Sequence, residues 1–247
     1  MRRLAAALGC LLFAAAAAAQ DARRIAVLSL VGDQLVVVQR SLTTGTRIDR
    51  NTRTPVPLNA PALDNAMVLA VEREIQRADP SAQTVLLAAR RPELYALQSR
   101  SLEEQAAFRS LVDAVREVAA RANATHLVLA TKHRGPARLQ VSDGALGDGV
   151  LEGLGFYVDP TRPMEHLTAG QRSEGFIAPY AYFQLTLVDL ESGAVLAQRT
   201  AMESRSAASQ NVLTPWQALT AEQKAAMLET LIKEGAARAV PVVLKRG

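Results

Sequence analysis

The residues best able to bind a metal ion or to attack a substrate are few and poorly spaced in this chain. The three histidines, His126, His133 and His166, have neither the i, i+4 spacing nor the short-loop spacing of a zinc site. Cys10 is the single cysteine, and no serine lies in a G-x-S-x-G sequence, which presents the nucleophile of many hydrolases. We therefore predict no metal site, no cofactor and no catalytic residues.

Acidic residues and glycines cluster between residues 135 and 155, and their spacing excludes two familiar kinds of binding loop. Asp143, Asp148 and Glu152 do not follow the alternating oxygen ligands of an EF-hand. Gly147, Gly149 and Gly153 have the wrong spacing for a dinucleotide-binding turn. We interpret the Asp-Gly pairs as turns in a long Gly-rich excursion that covers residues 135–179.

Arginines are the remaining groups with the capacity to bind a charged ligand. If seven of these arginines lay together on one rim of the fold, they would bind phosphate or an anionic glycan. If they were scattered over the surface, they would be ordinary solvent-exposed charges. These arginines are Arg47, Arg50, Arg53, Arg90, Arg91, Arg134 and Arg138. The sequence favours the scattered arrangement and leaves the rim as the alternative.

The stretch 180–203 predicts a β-hairpin around which the other elements are organised. Side chains alternate along it, so Phe183 belongs to one face of the strand, and Tyr182, Gln184 and Thr186 belong to the other. Gly193 supplies the turn. The tyrosine face either contacts a partner or is covered by the long loop or the last helix.

The first nineteen residues are typical of a cleavable signal peptide. Arg2 and Arg3 precede an apolar run that ends in Ala17-Ala18-Ala19. Cleavage lowers the formal net charge from +4 to +2, too small a charge to indicate a nucleic-acid partner. The alternative is a lipoprotein acylated at Cys10, which would place the protein at the outer membrane instead of free in the periplasm. We expect residues 20–247 to form one domain without a transmembrane segment.

The remaining pattern predicts an α/β (α+β) sandwich, a mixed sheet of four to six strands with about three helices mainly on one face. We expect a hairpin of strands 24–31 and 34–39, an edge strand within 43–61, and further strands at 84–88 and 124–130. We expect helices at 59–78, from the capping box Ser101–Glu104 to 122, and from the capping box Thr220–Gln223 to Pro241. Residues 93–98 should form a brief helical turn.

Three phrases of the sequence resemble one group of periplasmic α/β domains. They are R-I-A-V-L at 24–28, A-T-H-L-V-L at 124–129 and L-T-L-V-D-L-E-S-G-A-V-L at 185–196. The group includes the TolB amino-terminal region, the curli-secretion lipoprotein and the outer-membrane activators of peptidoglycan synthases. The resemblance is one of fold, and fold does not fix function. The chain departs from the group by the extra hairpin and loop at 34–61 and, on the signal-peptide interpretation, by lacking an acylated cysteine.

These features together predict an exported, non-enzymatic module of the cell envelope that binds a protein partner or a cell-wall component. The alternative is a periplasmic hydrolase whose site is assembled only in three dimensions. We expect residues 135–179 to fold over the tyrosine face, with a mobile excursion as the alternative. The candidate contact residues are Tyr182, Gln184, Phe156, Tyr157, Arg47, Arg50 and Arg53.

Overall fold

The computed structural model describes residues 23–41, 49, 51–58, 60–141, 144–165, 172–208 and 215–246. Within these ranges no helix is both long and apolar enough to cross a membrane. Arg47, Arg50, His166 and the signal-peptide residues lie outside the described part of the chain.

The main sheet has ten strands, and the order along its longest path is β3-β2-β9-β10-β5-β1-β4. A separate ribbon pairs β7 with β8. The strands are β1 (Arg24–Ser29), β2 (Gln34–Gln39), β3 (Thr52–Pro57), β4 (Gln83–Leu86), β5 (His126–Lys132), β6 (Arg134–Pro136), β7 (Leu139–Val141), β8 (Gly144–Leu146), β9 (Val150–Glu165), β10 (Arg172–Asp189), β11 (Val195–Ser204) and β12 (Ala207–Ala208). The described helices are α1 (Ala62–Ala78), α2 (Pro92–Ser101), α3 (Gln105–Arg121) and α4 (Ala221–Arg246).

The long strand β10 makes the sheet fork. One edge of β10 pairs with β9 through residues 172–182 and with β5 through residues 183–189. Strand β5 continues into β1 and β4 by parallel pairing, whereas β9 continues into β2 and β3. Strands β11 and β12 pair with β10. The two half-sheets therefore diverge between the end of β5 and the start of β9.

Helices cover both faces of the sheet. The face that carries Phe183, here called the first face, packs against α1 and α4. The face that carries Tyr182, the second face, packs against α2 and α3 over β1 and β5. Farther along, the second face is covered by the segment that contains β6 and β7. Helices therefore cover one part of the second face, and a segment with two short strands covers the other part.

Asp64, in the first turn of α1, connects that helix by hydrogen bonds to the chain at the end of β1, near the fork. Its Oδ1 accepts hydrogen bonds from Ser29 Oγ at 2.6 Å and from the N–H groups of Val31 and Gly32 at 2.9 and 3.0 Å. Its Oδ2 accepts a hydrogen bond from the Tyr95 hydroxyl, on α2, at 2.7 Å. A buried carboxylate with four donors is well satisfied, so Asp64 links the end of β1 to helices on both faces.

The α/β fold class, the helix at 59–78 and the 180–203 hairpin are confirmed, but the sheet is larger than expected. The prediction of helices mainly on one face is wrong, since two helices lie on each face. The hairpin of 24–31 with 34–39 is also wrong, because β1 pairs with β4 and β5 while β2 pairs with β3 and β9. The described residues between 135 and 179 are mostly strand, so they are not the excursion without regular structure that the Gly-rich sequence indicated.

Two helix boundaries also differ from the sequence-based expectation. Ser101 is the last residue of α2, and its hydroxyl donates to the carbonyl of Gln98 at 2.6 Å, so it does not begin the next helix. Helix α4 continues through Pro241 because Val240 and Val243 are buried against the sheet, which outweighs the lost backbone hydrogen bond. The capping box at Thr220 is confirmed by reciprocal bonds of 2.8 and 3.2 Å with Gln223.

Candidate binding groove

The tyrosines expected on the second face are buried beneath the segment that follows β5. The Tyr182 hydroxyl donates to the carbonyl of Pro136 at 3.2 Å and accepts from the N–H of Arg138 at 3.0 Å. Ala137 and Leu139 complete the cover. The segment therefore folds over this face as expected, and the Tyr182 ring cannot touch a partner in this conformation.

Phe156 and Tyr157 are also interior residues, and they belong to opposite faces of the sheet. Phe156 packs edge-on against Trp216, with ring centroids 5.4 Å apart, in the first-face core. Tyr157 stacks on Phe176 in the second-face core. The expectation that both rings contact a partner is corrected by their burial. Of the expected residues that the structure describes, only Gln184, which is half-buried, and Arg53 are accessible.

An open groove of about 490 Å³ lies beside Arg53, and we call it the Arg53 groove. It is formed where the β2–β3 hairpin, β6 and the start of β9 meet. Its lining residues are Val36, Val38, Asp49, Arg53, Pro55, Arg134, Val150 and Glu152. Aliphatic side chains thus alternate in this groove with two cations and two anions.

Tyr180 holds the β2 side of the groove in place from below. Its hydroxyl donates to the carbonyl of Val36 at 3.1 Å, and burial raises its pKa, so the phenol stays neutral. The ring passes over Gly155, where an added Cβ would lie 2.6 Å from the Tyr180 hydroxyl oxygen and 2.0 Å from the carbonyl oxygen of Val36. Only glycine fits this position, so β2, β9 and β10 can approach closely.

Arg53 is fixed at one wall of the groove by an ion pair and by backbone contacts. Its guanidinium donates to the carboxylate of Asp49 and to the carbonyl of Val150, the latter at 3.1 Å. Asp49 accepts from the N–H groups of Asn51 and Val150 at 3.1 and 2.9 Å. Although burial acts in the opposite direction, these hydrogen bonds lower the pKa of Asp49. Gly149 makes room for this carboxylate, because an added Cβ would lie 2.4 Å from it.

Arg134 is fixed at the opposite wall by two carboxylates. Its Nε donates to Glu152 Oε2 at 2.7 Å, within the β6–β9 pair, and its Nη1 donates to Glu103 Oε1 at 3.1 Å. The hydrogen bonds to Glu152 and Glu103 raise the pKa of Arg134, which remains charged at any physiological pH. The second bond also ties the groove to the turn between α2 and α3.

The charged groups of the groove are two guanidiniums and two carboxylates, and each is hydrogen-bonded within the protein. Ser29 lies elsewhere, is buried, and donates its proton to Asp64. His126 and His133 have pKa values lowered by burial. Among the described residues no group of three histidine, cysteine, aspartate or glutamate side chains has metal-binding geometry.

The sequence singled out Arg53 and Arg134 but not the groove they share. Of the other arginines considered for a shared rim, Arg90 and Arg91 line a separate cavity, in line with the scattered arrangement that the sequence favoured. The pairing of Arg134 with Glu152 depends on the β6–β9 register, which the Gly-rich composition concealed. Nothing in the sequence around Asp49 indicated that this residue would bind Arg53.

Comparison with known proteins gives similarity to solved structures only. No family model and no curated protein matches the chain. A DUF330 protein from Xanthomonas campestris is 10% identical over 91% of this chain and 85% of its own, with a TM-score of 0.37. The PelC dodecamer subunit from Paraburkholderia phytofirmans is 10% identical over 89% and 87%, with a TM-score of 0.31.

The LpoB C-terminal domain from Salmonella enterica also matches. It is 10% identical over 78% of this chain and 93% of its own, with a TM-score of 0.25. The sequence predicted a resemblance in fold alone, and these three matches are likewise resemblances in fold alone. They assign no ligand, partner or reaction to this chain.

Proposed function

We propose that this chain is an exported, non-enzymatic module of the cell envelope, and that it binds a protein partner or a cell-wall component in the Arg53 groove. The observation that carries the proposal is the groove itself, an open volume of about 490 Å³ whose charged side chains are already fixed. In this proposal residues 1–19 are the signal peptide and residues 20–247 form one domain in the periplasm.

Pre-organisation supports binding in this groove. Binding usually loses free energy when flexible side chains become ordered. Here Arg53 and Arg134 are each held by a carboxylate before any ligand arrives. The side chains of Arg53 and Arg134 remain 40% and 46% exposed. A guanidinium has five N–H donors, so each arginine keeps donors for a ligand after its contacts with Asp49 or Glu152.

The balance of charges favours a ligand with both polar and apolar groups. Two carboxylates offset the two guanidiniums, so a highly charged polyanion gains little net attraction here. Val36, which is half-buried, and Pro55, which is exposed, offer apolar contact beside those charges. A peptide segment has this mixture of groups, either in a partner protein or in the peptides of the cell wall.

The test compares recovery of an envelope partner by the wild-type protein and by an Arg53→Ala/Arg134→Ala double variant. The tagged proteins are cross-linked in envelope extracts and, in a second arm, sedimented with purified cell-wall sacculi. Arg109→Ala is the matched control, because Arg109 is exposed on α3 and does not line the groove. We expect one arm to recover a ligand with the wild type and the control, and to lose it with the double variant.

Equal recovery by all three proteins would refute binding in the groove. Melting curves recorded for each variant separate a loss of binding from a loss of folding. Turnover of a cell-wall or peptide substrate by the purified wild-type protein would instead favour the hydrolase alternative.

A further inference from the structure

Strand β4 lies at an edge of the sheet where no strand among the described residues pairs with its outer side. In the parallel pair with β1, the N–H groups of Gln83 and Leu87 donate to the carbonyls of Arg23 and Val27 at 2.8 and 2.9 Å. Successive residues of a strand direct these groups to opposite sides. Thr84 and Leu86 therefore direct their N–H and C=O groups away from β1, where no described strand pairs with them.

The edge at the other end of the sheet is closed to the same interaction. The N–H of Leu58 donates inward, to the carbonyl of Asp33 at 2.9 Å, so residues of the opposite parity in β3 face outward. Two of these outward positions are Pro55 and Pro57, which have no N–H group. Proline is a common protection of sheet edges against strand addition. Strand β4 has no such protection.

Exposed apolar side chains flank the open edge on the first face. Gln76 of α1 hydrogen-bonds the carbonyl of Ala82, and Glu72, one turn earlier, accepts a hydrogen bond from Thr84. Moving forward along β4 thus corresponds to moving back along α1, so Leu69 is displaced from Glu72 in the same direction as Leu86 is from Thr84. Leu69 is 56% exposed and Leu86 is 41% exposed. Together they provide an apolar strip along the edge.

The second face has a small apolar slot at the same edge. The slot has a volume of about 140 Å³, close to that of a cavity that accommodates a benzene-sized group. Leu28, Leu87, Leu94 and Val115 line it. Val118, at its mouth on α3, is 45% exposed. One large aliphatic side chain of an added strand would fit there.

Two arginines give the slot a positive rim. Arg90 and Arg91 both line it and both are exposed. Neither makes an ion pair with any residue that the structure describes. Unpaired guanidiniums beside an apolar slot complement a segment that carries a carboxylate close to an aliphatic side chain.

We propose that an extended segment of another protein adds to the β4 edge as a further strand. Its backbone pairs with Thr84 and Leu86, one aliphatic side chain enters the slot, and an acidic side chain within about three residues reaches Arg90 and Arg91. Recognition of this kind takes affinity from main-chain hydrogen bonds and specificity from alternate side chains. A second copy of this chain fits less well, since an antiparallel β4–β4 pair would place Gln83 at the slot instead of an aliphatic side chain.

The test uses random nine-residue peptides displayed on phage, selected against the purified protein expressed from its full coding sequence. We expect enriched peptides to carry an aliphatic residue with aspartate or glutamate within three positions of it, on either side. Synthetic copies are then titrated by fluorescence anisotropy. Leu86→Pro removes the outward N–H donor and also changes the side chain, so Leu86→Val, which changes the side chain but keeps the N–H, is the matched control. We expect at least about tenfold weaker binding to Leu86→Pro than to Leu86→Val.

The charge requirement is tested with Arg90→Glu/Arg91→Glu, which should weaken binding of the acidic peptides at least about tenfold. Arg53→Ala/Arg134→Ala should leave peptide binding unchanged, so failure of the groove proposal and failure of this one are distinguishable. No enrichment, or equal binding by Leu86→Pro and Leu86→Val, would overturn the proposal. A dimer in sedimentation that Leu86→Pro converts to a monomer would also overturn it, because the edge would then be occupied by a second copy.

Discussion

Replacing Asp64 with alanine should destabilise the protein more than any exposed charge substitution. Three donors, Ser29 Oγ and the N–H groups of Val31 and Gly32, bind the same carboxylate oxygen and are buried. A buried donor that loses its acceptor costs about 1–3 kcal/mol. The three together predict a loss of about 3–6 kcal/mol, after some relaxation of the turn. That is a large fraction of the roughly 5–15 kcal/mol by which a domain is stable.

Two milder variants separate the roles of the two carboxylate oxygens. Asp64→Asn keeps an acceptor for the three donors, but it loses the charge and puts an NH2 group where Oδ2 accepts from the Tyr95 hydroxyl, so we expect a loss of about 1–2 kcal/mol. Tyr95→Phe removes the single donor to Oδ2, at 2.7 Å, and should lower stability by about 1 kcal/mol. Asp113→Ala, at an exposed position of α3, is the control and should change stability by less than about 0.5 kcal/mol.

The measurement is urea unfolding followed by circular dichroism at pH 7, with the slope m compared between variants. If Asp64→Ala were within about 1 kcal/mol of the wild type at unchanged m, the inferred link between β1 and the helices would be incorrect. Equal damage by Asp64→Asn and Asp64→Ala would show that the charge and the Oδ2 acceptor matter here more than the Oδ1 acceptor.

Three other outcomes follow from the sequence and structure. Burial lowers the pKa of His126 and His133, so their contribution to stability is present above pH 6.5 and is lost as the pH falls. Chemical unfolding measured from pH 7 to pH 5 should show this loss of stability. A His126→Gln/His133→Gln variant should not show it. Intact-mass measurement of the exported protein should give a chain that begins after Ala19 without a lipid, and a lipidated product would contradict the signal-peptide assignment. Gly155→Ala should lower the melting temperature by about 10 °C, since the new Cβ would lie 2.0 Å from the carbonyl oxygen of Val36; an unchanged melting temperature would contradict this packing.

Local pattern predicted the elements whose own residues carry enough information. The alternation of Tyr182 and Phe183 assigned two faces to β10, and both residues lie on the expected sides. The helix start at the Thr220 capping box and the helix end at Asp79 were likewise predicted from neighbouring residues, and the structure confirms both. Ser101 shows the limit of such signals, because a serine hydroxyl can cap the next helix or bond back to its own, as here to Gln98.

Strand partners could not be predicted in the same way. Strand β1 is a continuous apolar run, which predicts burial on both faces but does not name its neighbours. A short turn to β2 favoured a hairpin. Parallel pairing of β1 with β4 and β5 prevailed, because it buries β1 between two helical layers that the hairpin would leave apart.

The Arg53 groove depended on the same long-range pairings. Arg53 and Arg134 line opposite walls of one groove because β2 pairs in parallel with β9 and β6 pairs with the start of β9. The sequence supplied the two charges, but it did not supply Glu152 and Asp49 as their partners. The sequence did predict a cover over Tyr182, but it did not predict the burial of Phe156 and Tyr157, which depends on contacts with Trp216 and Phe176.

The sequence by itself determined the period of each element, the face of each strand residue, and the scarcity of residues that could catalyse a reaction. These properties depend on neighbours a few positions away, where side-chain spacing is fixed by the backbone. Only the tertiary structure decided the fork at β10, the Arg53 groove and the open edge of β4. Each of these depends on which distant backbone groups pair and which stay free, and that choice is made by burial summed over the whole fold.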